Sequence, residues 1–422
     1  MSSYISNFSL KPPSDETKKL VATGQKYYVP NYKPREMILD HGKGSRLFDI
    51  DGNDYIDLGS GIAVNGLGHQ DPDLVKALET QGRKIWHTSN VFYTEPPIKL
   101  AEALVQSTPF ATRVFFCNSG AEANEAAIKL ARKYASERGR QPERREIITF
   151  KGSFHGRTMA TVTATAQPKY QQGFEPLPGG FKYCNFNDFD GIDRMMNENV
   201  CAIMIEPIQG EGGITPARPK FMAHLRKLCD KYGALLICDE IQSGMGRTGK
   251  LWAHQHEEGL EPDIMTIAKA LGGGLPIGAM LVGAKAQDVL QFGSHGTTFG
   301  GNPVMTAVAL ASLTKIKTPE VAKNVEKQAA ALREALESLN KTHKCFKEIR
   351  GRGLMIGAEL SEKLLGKAGD IIETCRLNGV LVLQAGPDVL RFLPPLTIND
   401  DEVKEGCARF EVAMGAFLAK LG

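Results

Sequence analysis

At 422 residues the chain is too long for one simple hydrophobic core, so at least two domains are expected. Apolar residues make up 42% and charged residues 23%, ordinary globular values. The net charge of +3 carries no basic block, which gives no reason to invoke nucleic acid or a membrane surface.

Eight cysteines lie without CxxC spacing, with Cys201 and Cys238 inside apolar runs. That pattern suits reduced thiols in a cytoplasmic protein and argues against a disulfide frame or a metal site. No apolar stretch approaches membrane-spanning length, and the N-terminus lacks an apolar secretory core. Residues 1 to about 35 are polar, hold Pro12, Pro13, Pro30 and Pro34, and read as an arm with no core of its own. Leu47, Phe48, Ile50, Tyr55 and Ile56 flank Asp51-Gly52-Asn53, so 46–58 reads as a hairpin. Residues 59–69 form a glycine-rich loop, and Asp71-Pro72 opens a helix through about Gln81. A second helix runs from Glu95 to about Ser107.

Residues 113–117 read as a short strand, after which Asn118-Ser119-Gly120-Ala121-Glu122 starts a helix to about Glu137. Free N–H groups at such a start suit an anion such as phosphate, as those of any capped helix do. The next strand, 146–150, leads into KGSFHGR, where Phe154 and His155 sit between glycines. A ring there either stacks on a flat ligand or packs beneath its own loop. Residues 201–205 form another buried strand that stops at Glu206, followed by a glycine-rich segment holding Glu211.

The densest chemistry lies at 234–274. One apolar run, 234–238, stops at Asp239 and Glu240; another, 264–267, stops just before Lys269 and a triple glycine. Runs this short and apolar on both faces suit parallel strands with both faces covered. Ligands of such sheets sit beyond the carboxyl ends of the strands, where Asp239 and Lys269 would emerge together. Pyridoxal phosphate needs that pair, a lysine for the covalent link and a carboxylate to keep the ring nitrogen protonated. Taken alone, the two residues read equally as a capping acid and a surface lysine. Gly244, Gly246 and Gly249 also spell GxGxxG, and 244–250 spells GxxxxGK, which opens a competing reading as a nucleotide-binding dehydrogenase or NTPase. Against it, Leu251 stands where a P-loop needs Ser or Thr, and DEIQS separates the glycines from the strand. A loop that lets backbones pass closely is the simpler account.

A strand at 279–282 and a polar loop at 295–303 precede a helix to about Ile316. Beyond about 318 the texture changes to a long charged helix (319–339), strands at 346–350 and 354–360, a helix at 367–378, strands at 380–384 and 389–393, and a closing helix at 400–420. This mixture predicts a separate α+β domain at 318–422, joined by the N-terminal segment 1–66 and set against a larger domain at 67–317.

Taken as a set, SGAEANE, FHGR, EPIQGEGG, DEIQSGMGRTG, AKALGGG and HGTTFGGNP resemble the class III aminotransferases of the fold-type-I pyridoxal phosphate enzymes. The similarity runs from about residue 25 to 415. Within that family, LGSGIAVNGLGH, WHTSNVF and AGPDVLRFLPPLTI resemble the branch acting on N-acylated ornithine. The resemblance implies an α/β fold with a mostly parallel central sheet in the large domain, a smaller α+β domain, and pyridoxal 5'-phosphate as cofactor. It also implies a homodimer with shared active sites.

Lys269 is implied as the lysine that carries the cofactor and moves the proton, Asp239 as partner of the ring nitrogen, and Gln242 as partner of the ring hydroxyl. Phe154 would stack on the ring, and Ser119, Gly120 and Ala121 would hold the phosphate, with Thr298 reaching it from the neighbouring subunit. Arg157, Arg391 and Glu211 match the residues that handle substrate carboxylates. The implied reaction moves the side-chain amine of N-acetylornithine to 2-oxoglutarate, giving N-acetylglutamate 5-semialdehyde and glutamate in arginine biosynthesis. Succinylornithine, succinyldiaminopimelate, 4-aminobutyrate and free ornithine are the alternative donors. Ornithine aminotransferases usually carry a tyrosine where Gly61 stands, and a glycine leaves room for an acylated amine. Glu211 would pair with Arg391 while the donor is bound and release it for the keto acid; a permanent salt bridge is the other reading of the same two residues.

Overall fold

The computed structural model describes residues 10–421, so the first nine residues of the expected arm lie outside it. The rest of the arm contains a helix, Asp15–Tyr27, that apolar periodicity did not reveal. Its start is set by capping chemistry: the Ser14 hydroxyl accepts from the Thr17 N–H at 3.2 Å, and Asp15 and Glu16 sit in the positive first turn. The Thr17 hydroxyl then donates to Asp51 at 2.8 Å, tying the helix to the hairpin turn.

Three antiparallel strands follow: β1 (Leu39–Lys43), β2 (Arg46–Asp49) and β3 (Asp54–Asp57). The expected hairpin is β2–β3, and its turn is pinned by Asp49, which accepts from the Asn53 N–H and the Tyr55 hydroxyl, each at 2.8 Å. β1 was missed because only Gly42 among its five residues is buried. The expected loop at 59–69 begins with a tight turn in which Ser60, Gly61, Ile62 and Ala63 all take positive φ, between 46° and 64°.

The larger unit is built from β4 (Ala111–Cys117), β5 (Glu146–Phe150), β6 (Phe181–Cys184), β7 (Val200–Ile205), the short hairpin β8 (Ile208–Gln209) and β9 (Thr215–Pro216), β10 (Leu235–Asp239), β11 (Ile264–Ile267) and β12 (Gly278–Gly283). Apart from the hairpin these form one seven-stranded sheet in the order β4-β12-β11-β10-β7-β5-β6. Strands β6, β5, β7, β10 and β11 run parallel, while β12 is antiparallel to both its neighbours. The chain is therefore α/β, with a mostly parallel central sheet.

Alternation along β10 shows why its run is apolar throughout. Leu235 and Ile237 pack with Leu130 and Tyr134 of the helix Gly120–Glu137 on one face. Leu236 and Cys238 pack with Phe221 and Leu225 of the helix Phe221–Tyr232 on the other.

The crossover from β10 to β11 contains only a short 3-10 turn, Ala253–His256. The buried Glu240 carboxylate accepts from the N–H groups of Ala253 (2.5 Å) and His254 (2.8 Å) at its start. Here the glycines of the supposed nucleotide loop serve close packing. A Cβ on Gly244 would come within 2.7 Å of the Glu240 carbonyl, and one on Gly246 within 2.9 Å of Ile316.

The C-terminal part supplies β13 (Phe346–Arg352), β14 (Met355–Leu360), β15 (Val380–Leu381), β16 (Leu383–Gln384) and β17 (Val389–Phe392). Strands β13-β14-β17-β16 make an antiparallel sheet, whereas β15 pairs parallel with β3. The single strand expected at 380–384 is thus two strands in two sheets, divided at the buried Val382. The helices Pro319–His343 and Asp400–Ala419 bury Leu332, Leu336, Phe410 and Met414 in one cluster with Ile356 and Leu390. Seven of the eight cysteines are buried, and all eight are free thiols. Among the described residues no helix is long and apolar enough to cross a membrane.

Candidate active site

Asp239 closes β10, and Lys269 lies two residues beyond β11, its parallel neighbour, so both reach the same carboxyl edge. Asp239 is only 3% exposed and has three partners. One oxygen accepts from the Ile241 N–H at 3.1 Å, and the other meets Asn124 Nδ2 at 2.8 Å and His155 Nδ1 at 2.7 Å. Burial opposes a charge on His155, but the hydrogen bond and charge of Asp239 outweigh it and hold the imidazole above its ordinary pKa. The imidazole lies directly against the carboxylate and, with Asn124, fixes its orientation. Asn124 is itself aimed: it donates to the His155 carbonyl at 2.8 Å and accepts from the Thr266 hydroxyl at 2.7 Å.

Lys269 takes a φ of +41°, a conformation that costs a non-glycine residue on the order of 1 kcal/mol or more. Burial, then the nearby Arg391 guanidinium, push its amine down to about 8. The residue is neither a surface lysine nor one locked in an ion pair.

Glu206 follows β7 directly, at the same edge where Asp239 closes β10. Its oxygens accept from the N–H groups of Phe154 at 2.9 Å and Gly210 at 3.1 Å, and burial pushes the carboxyl up to about 7. Asn124, His155 and Glu206 were given no role by the sequence reading. The available signal was an acid closing an apolar strand at the same edge, which Glu206 shares with Asp239.

The helix starting at Gly120 is capped by the Ser119 hydroxyl, which accepts from the Glu122 N–H at 3.2 Å. The N–H groups of Gly120 and Ala121 have no acceptor within the helix, as at any helix start. Gly120 packs closely under Ile241, just past Asp239: a Cβ there would fall 2.8 Å from the Ile241 side chain, which would have to shift. Gln242 lies against Gly210, where a Cβ would come within 2.5 Å of its Nε2. Phe154 is half-buried and meets Tyr170 edge to face, with ring centroids 5.8 Å apart. Arg157 is exposed, its guanidinium 4.0 Å from the Tyr170 ring centroid.

Arg391, buried in β17, donates from Nη1 to Glu211 at 2.6 Å and to Gln242 at 3.3 Å. Glu211 sits between β8 and β9, so this ion pair joins the larger unit to the C-terminal sheet. Thr298 stands apart: it is exposed in the loop 292–299, and its side chain forms no hydrogen bond among the described residues. Its neighbour Thr297 does, accepting from Asn118 Nδ2 at 3.0 Å.

A sequence model of the class-III aminotransferases matches residues 27–414. The chain belongs to the class-III aminotransferases. Acetylornithine aminotransferase of Xanthomonas campestris is 58% identical over 395 residues, 93% of this chain and 97% of its own. The crystal structure of N-acetylornithine aminotransferase from Stenotrophomonas maltophilia superposes with a TM-score of 0.84 at 49% identity, covering 95% of this chain and all of that one. Ornithine aminotransferase from Toxoplasma gondii, whose structure has partial occupancy of pyridoxal phosphate at its active site, superposes with a TM-score of 0.92 at 33% identity. It matches 97% of this chain and 96% of its own. Class-III aminotransferases are pyridoxal phosphate enzymes acting on small molecules, and membership excludes the dehydrogenase and NTPase readings.

Proposed function

We propose that this chain transfers the side-chain amine of N2-acetylornithine to 2-oxoglutarate, with pyridoxal 5'-phosphate bound at the carboxyl edge of the seven-stranded sheet. The observation that carries the reading is the Glu211–Arg391 pair beside Lys269. N-acetylornithine has one carboxylate, far from its reacting amine, and needs no second cation near the reacting carbon. Glutamate and 2-oxoglutarate carry a carboxylate beside that carbon and need one. A guanidinium fork suits a carboxylate, and Arg391 held by Glu211 at 2.6 Å is a fork that can be covered for one substrate and opened for the other. Arg157, exposed on the FHGR loop, would take the distant carboxylate.

Features of the edge support the cofactor. Asp239, held in place by His155 and Asn124, would pair with the ring nitrogen. Gln242 would meet the ring hydroxyl, and Phe154 would cover one ring face. Ser119 and the N–H groups of Gly120 and Ala121 would hold the phosphate, at a helix start that no side chain at position 120 obstructs. Bound there, the cofactor supplies an electron sink for the charge left when the donor carbon loses its proton.

Lys269 supplies the base. With its pKa lowered to about 8 by burial, a far larger share of its amine is neutral near neutral pH than for an ordinary lysine. The neutral Nζ would take the proton from the amine-bearing carbon of the donor and pass it on within the same half-reaction. In the second half-reaction it would run the same transfer in reverse, returning a proton to the carbon beside the carboxylate. Gly61 places no side chain at its turn, which favours an acylated donor.

Exposed Phe92, Tyr93, Phe292 and Phe299, together with the exposed Thr298, support a homodimer in which Thr298 completes the phosphate site of the partner. Eight free thiols support a reducing, cytoplasmic setting.

The test is a visible spectrum of the holoenzyme while amine donors are added singly. N-acetylornithine is expected to bleach the cofactor band and 2-oxoglutarate to restore it. Bleaching by ornithine or 4-aminobutyrate, with N-acetylornithine inert, would overturn the substrate assignment.

A further inference from the structure

Strand pairing sets Arg350 of β13 opposite Gly357 of β14, and Gly357 opposite Arg391 of β17. Directly opposed residues of antiparallel strands share a face, so two guanidinium side chains flank a position with no side chain. The segment 211–214 lies across this face. Glu211 is bound by Arg391 at 2.6 Å, the Gly213 carbonyl accepts from Arg350 Nε at 2.9 Å, and Ile214 sits over Gly357. A Cβ at position 357 would fall 2.8 Å from the Ile214 Cβ, so the bare position is what lets the segment lie down.

The grip of Arg350 is itself fixed. Its guanidinium is paired with Glu359 and, at 2.9 Å, with Glu348. Gly213 has a φ of +85°, and a Cβ there would meet Arg350 Nη2 at 2.9 Å. On the other side of Glu211, the Gly210 N–H is held by Glu206 at 3.1 Å. Glu211 is therefore carried on a short span of backbone anchored before and after it.

We propose that Arg350 is a specificity-determining positioning residue: by holding the Gly213 carbonyl it keeps Glu211 over Arg391, and so sets how readily Arg391 is released to a second substrate carboxylate. This rests on the reading of Glu211 and Arg391 given under Proposed function. Arg350 contacts neither substrate nor cofactor; it acts through the backbone that carries Glu211. Without its hydrogen bond, pairing Glu211 with Arg391 must also order the segment, and that entropy weakens the pair. Arg391 is then free more of the time. A dicarboxylate should bind more tightly, and the monocarboxylate donor should lose the discrimination that the covered arginine provided.

The test measures calorimetric binding of glutarate, a dicarboxylate that cannot react, to the holoenzyme, alongside KM and kcat for N-acetylornithine. Arg350→Met is expected to tighten glutarate binding roughly 3–10-fold, the range of one net hydrogen bond. KM for the donor should rise by a similar factor with kcat nearly unchanged. Glu211→Ala should shift the same quantities at least as far, and the double variant should add nothing further. Gly213→Ala disturbs the same contact from the backbone side and should reproduce the split, so the result does not hang on one variant's folding. Lys347→Met, which removes the other cation on Glu359 (2.7 Å) and leaves Gly213 untouched, should change neither quantity. If Glu211→Ala tightens glutarate binding while Arg350→Met and Gly213→Ala do not, the positioning role is wrong. If Glu211→Ala itself leaves glutarate unmoved, the reading of the Glu211–Arg391 pair falls, and the role of Arg350 with it.

Discussion

The carboxyl edge of the seven-stranded sheet and the loop 292–299 both carry residues expected at one site, yet they are finished to different degrees. At the sheet edge, Asp239 has three partners from three separate segments, and Lys269 is fixed in a strained backbone turn. In the loop, Thr298 faces outward beside Phe292, which is fully exposed, and Phe299, which is 62% exposed. Strand ends inherit their geometry from the core of their own chain. A loop whose apolar side chains find no cover within the chain takes its geometry from whatever surface covers it. The two groups of residues should therefore fail differently when altered.

The largest effect is expected at Lys269. Under the proposed roles Lys269→Ala removes the base and the covalent link, so turnover should fall by at least roughly 10²–10⁴-fold, with the fold intact by circular dichroism. Residual activity above about one part in a hundred would show that another group moves the proton.

Next comes Asp239→Asn, which keeps the shape and loses the charge. Single-turnover rates should fall on the order of 10²-fold, with donor affinity little changed. The same substitution removes what holds the His155 pKa up, so the imidazole should become neutral at lower pH than in the parent, read by its NMR titration. An unmoved titration would mean that Asp239 does not govern the edge.

The smallest effect probes the loop. Thr298→Ala alone should weaken cofactor affinity by a factor of about 3–10, the contribution of one hydrogen bond to an anion. When these chains are mixed with Lys269→Ala chains, each hybrid has one site with an intact lysine and an intact Thr298 from the other chain. A fraction of sites should regain parental cofactor affinity in a titration. Affinity that follows each chain's own Thr298 would break the contrast between edge and loop.

What the sequence made legible follows the same division. Strands β5, β7, β10 and β11 were readable because both faces of the sheet are covered, so their runs are largely apolar, and β7, β10 and β11 stop at or just before Glu206, Asp239 and Lys269. β1 is mostly open to solvent and β6 is only partly covered, and neither gave such a signal. The division of 380–384 between two sheets depends on partners elsewhere in the chain, which local pattern does not record. The same holds for the polar contacts: Asn124 and His155 meet Asp239 across 115 and 84 residues, and Arg391 meets Glu211 across 180. The last pair was anticipated through family resemblance, not through spacing.

The parallel pairing of β3 with β15 joins Ile56 to Val380. A ribosome making this chain releases β3 long before its partner exists, and at roughly 5–20 residues per second the wait lasts on the order of tens of seconds. Through that interval one edge of the N-terminal meander is open, while all seven strands of the large sheet, which ends at Gly283, can already assemble. Since β16 follows β15 after one residue and pairs with Arg391, the arginine proposed to discriminate between substrates reaches its place only in the closing stage of synthesis. A chain cut short before residue 380 should leave the ribosome with a folded sheet and a sticky N-terminal edge, a natural recognition mark for chaperones and proteases.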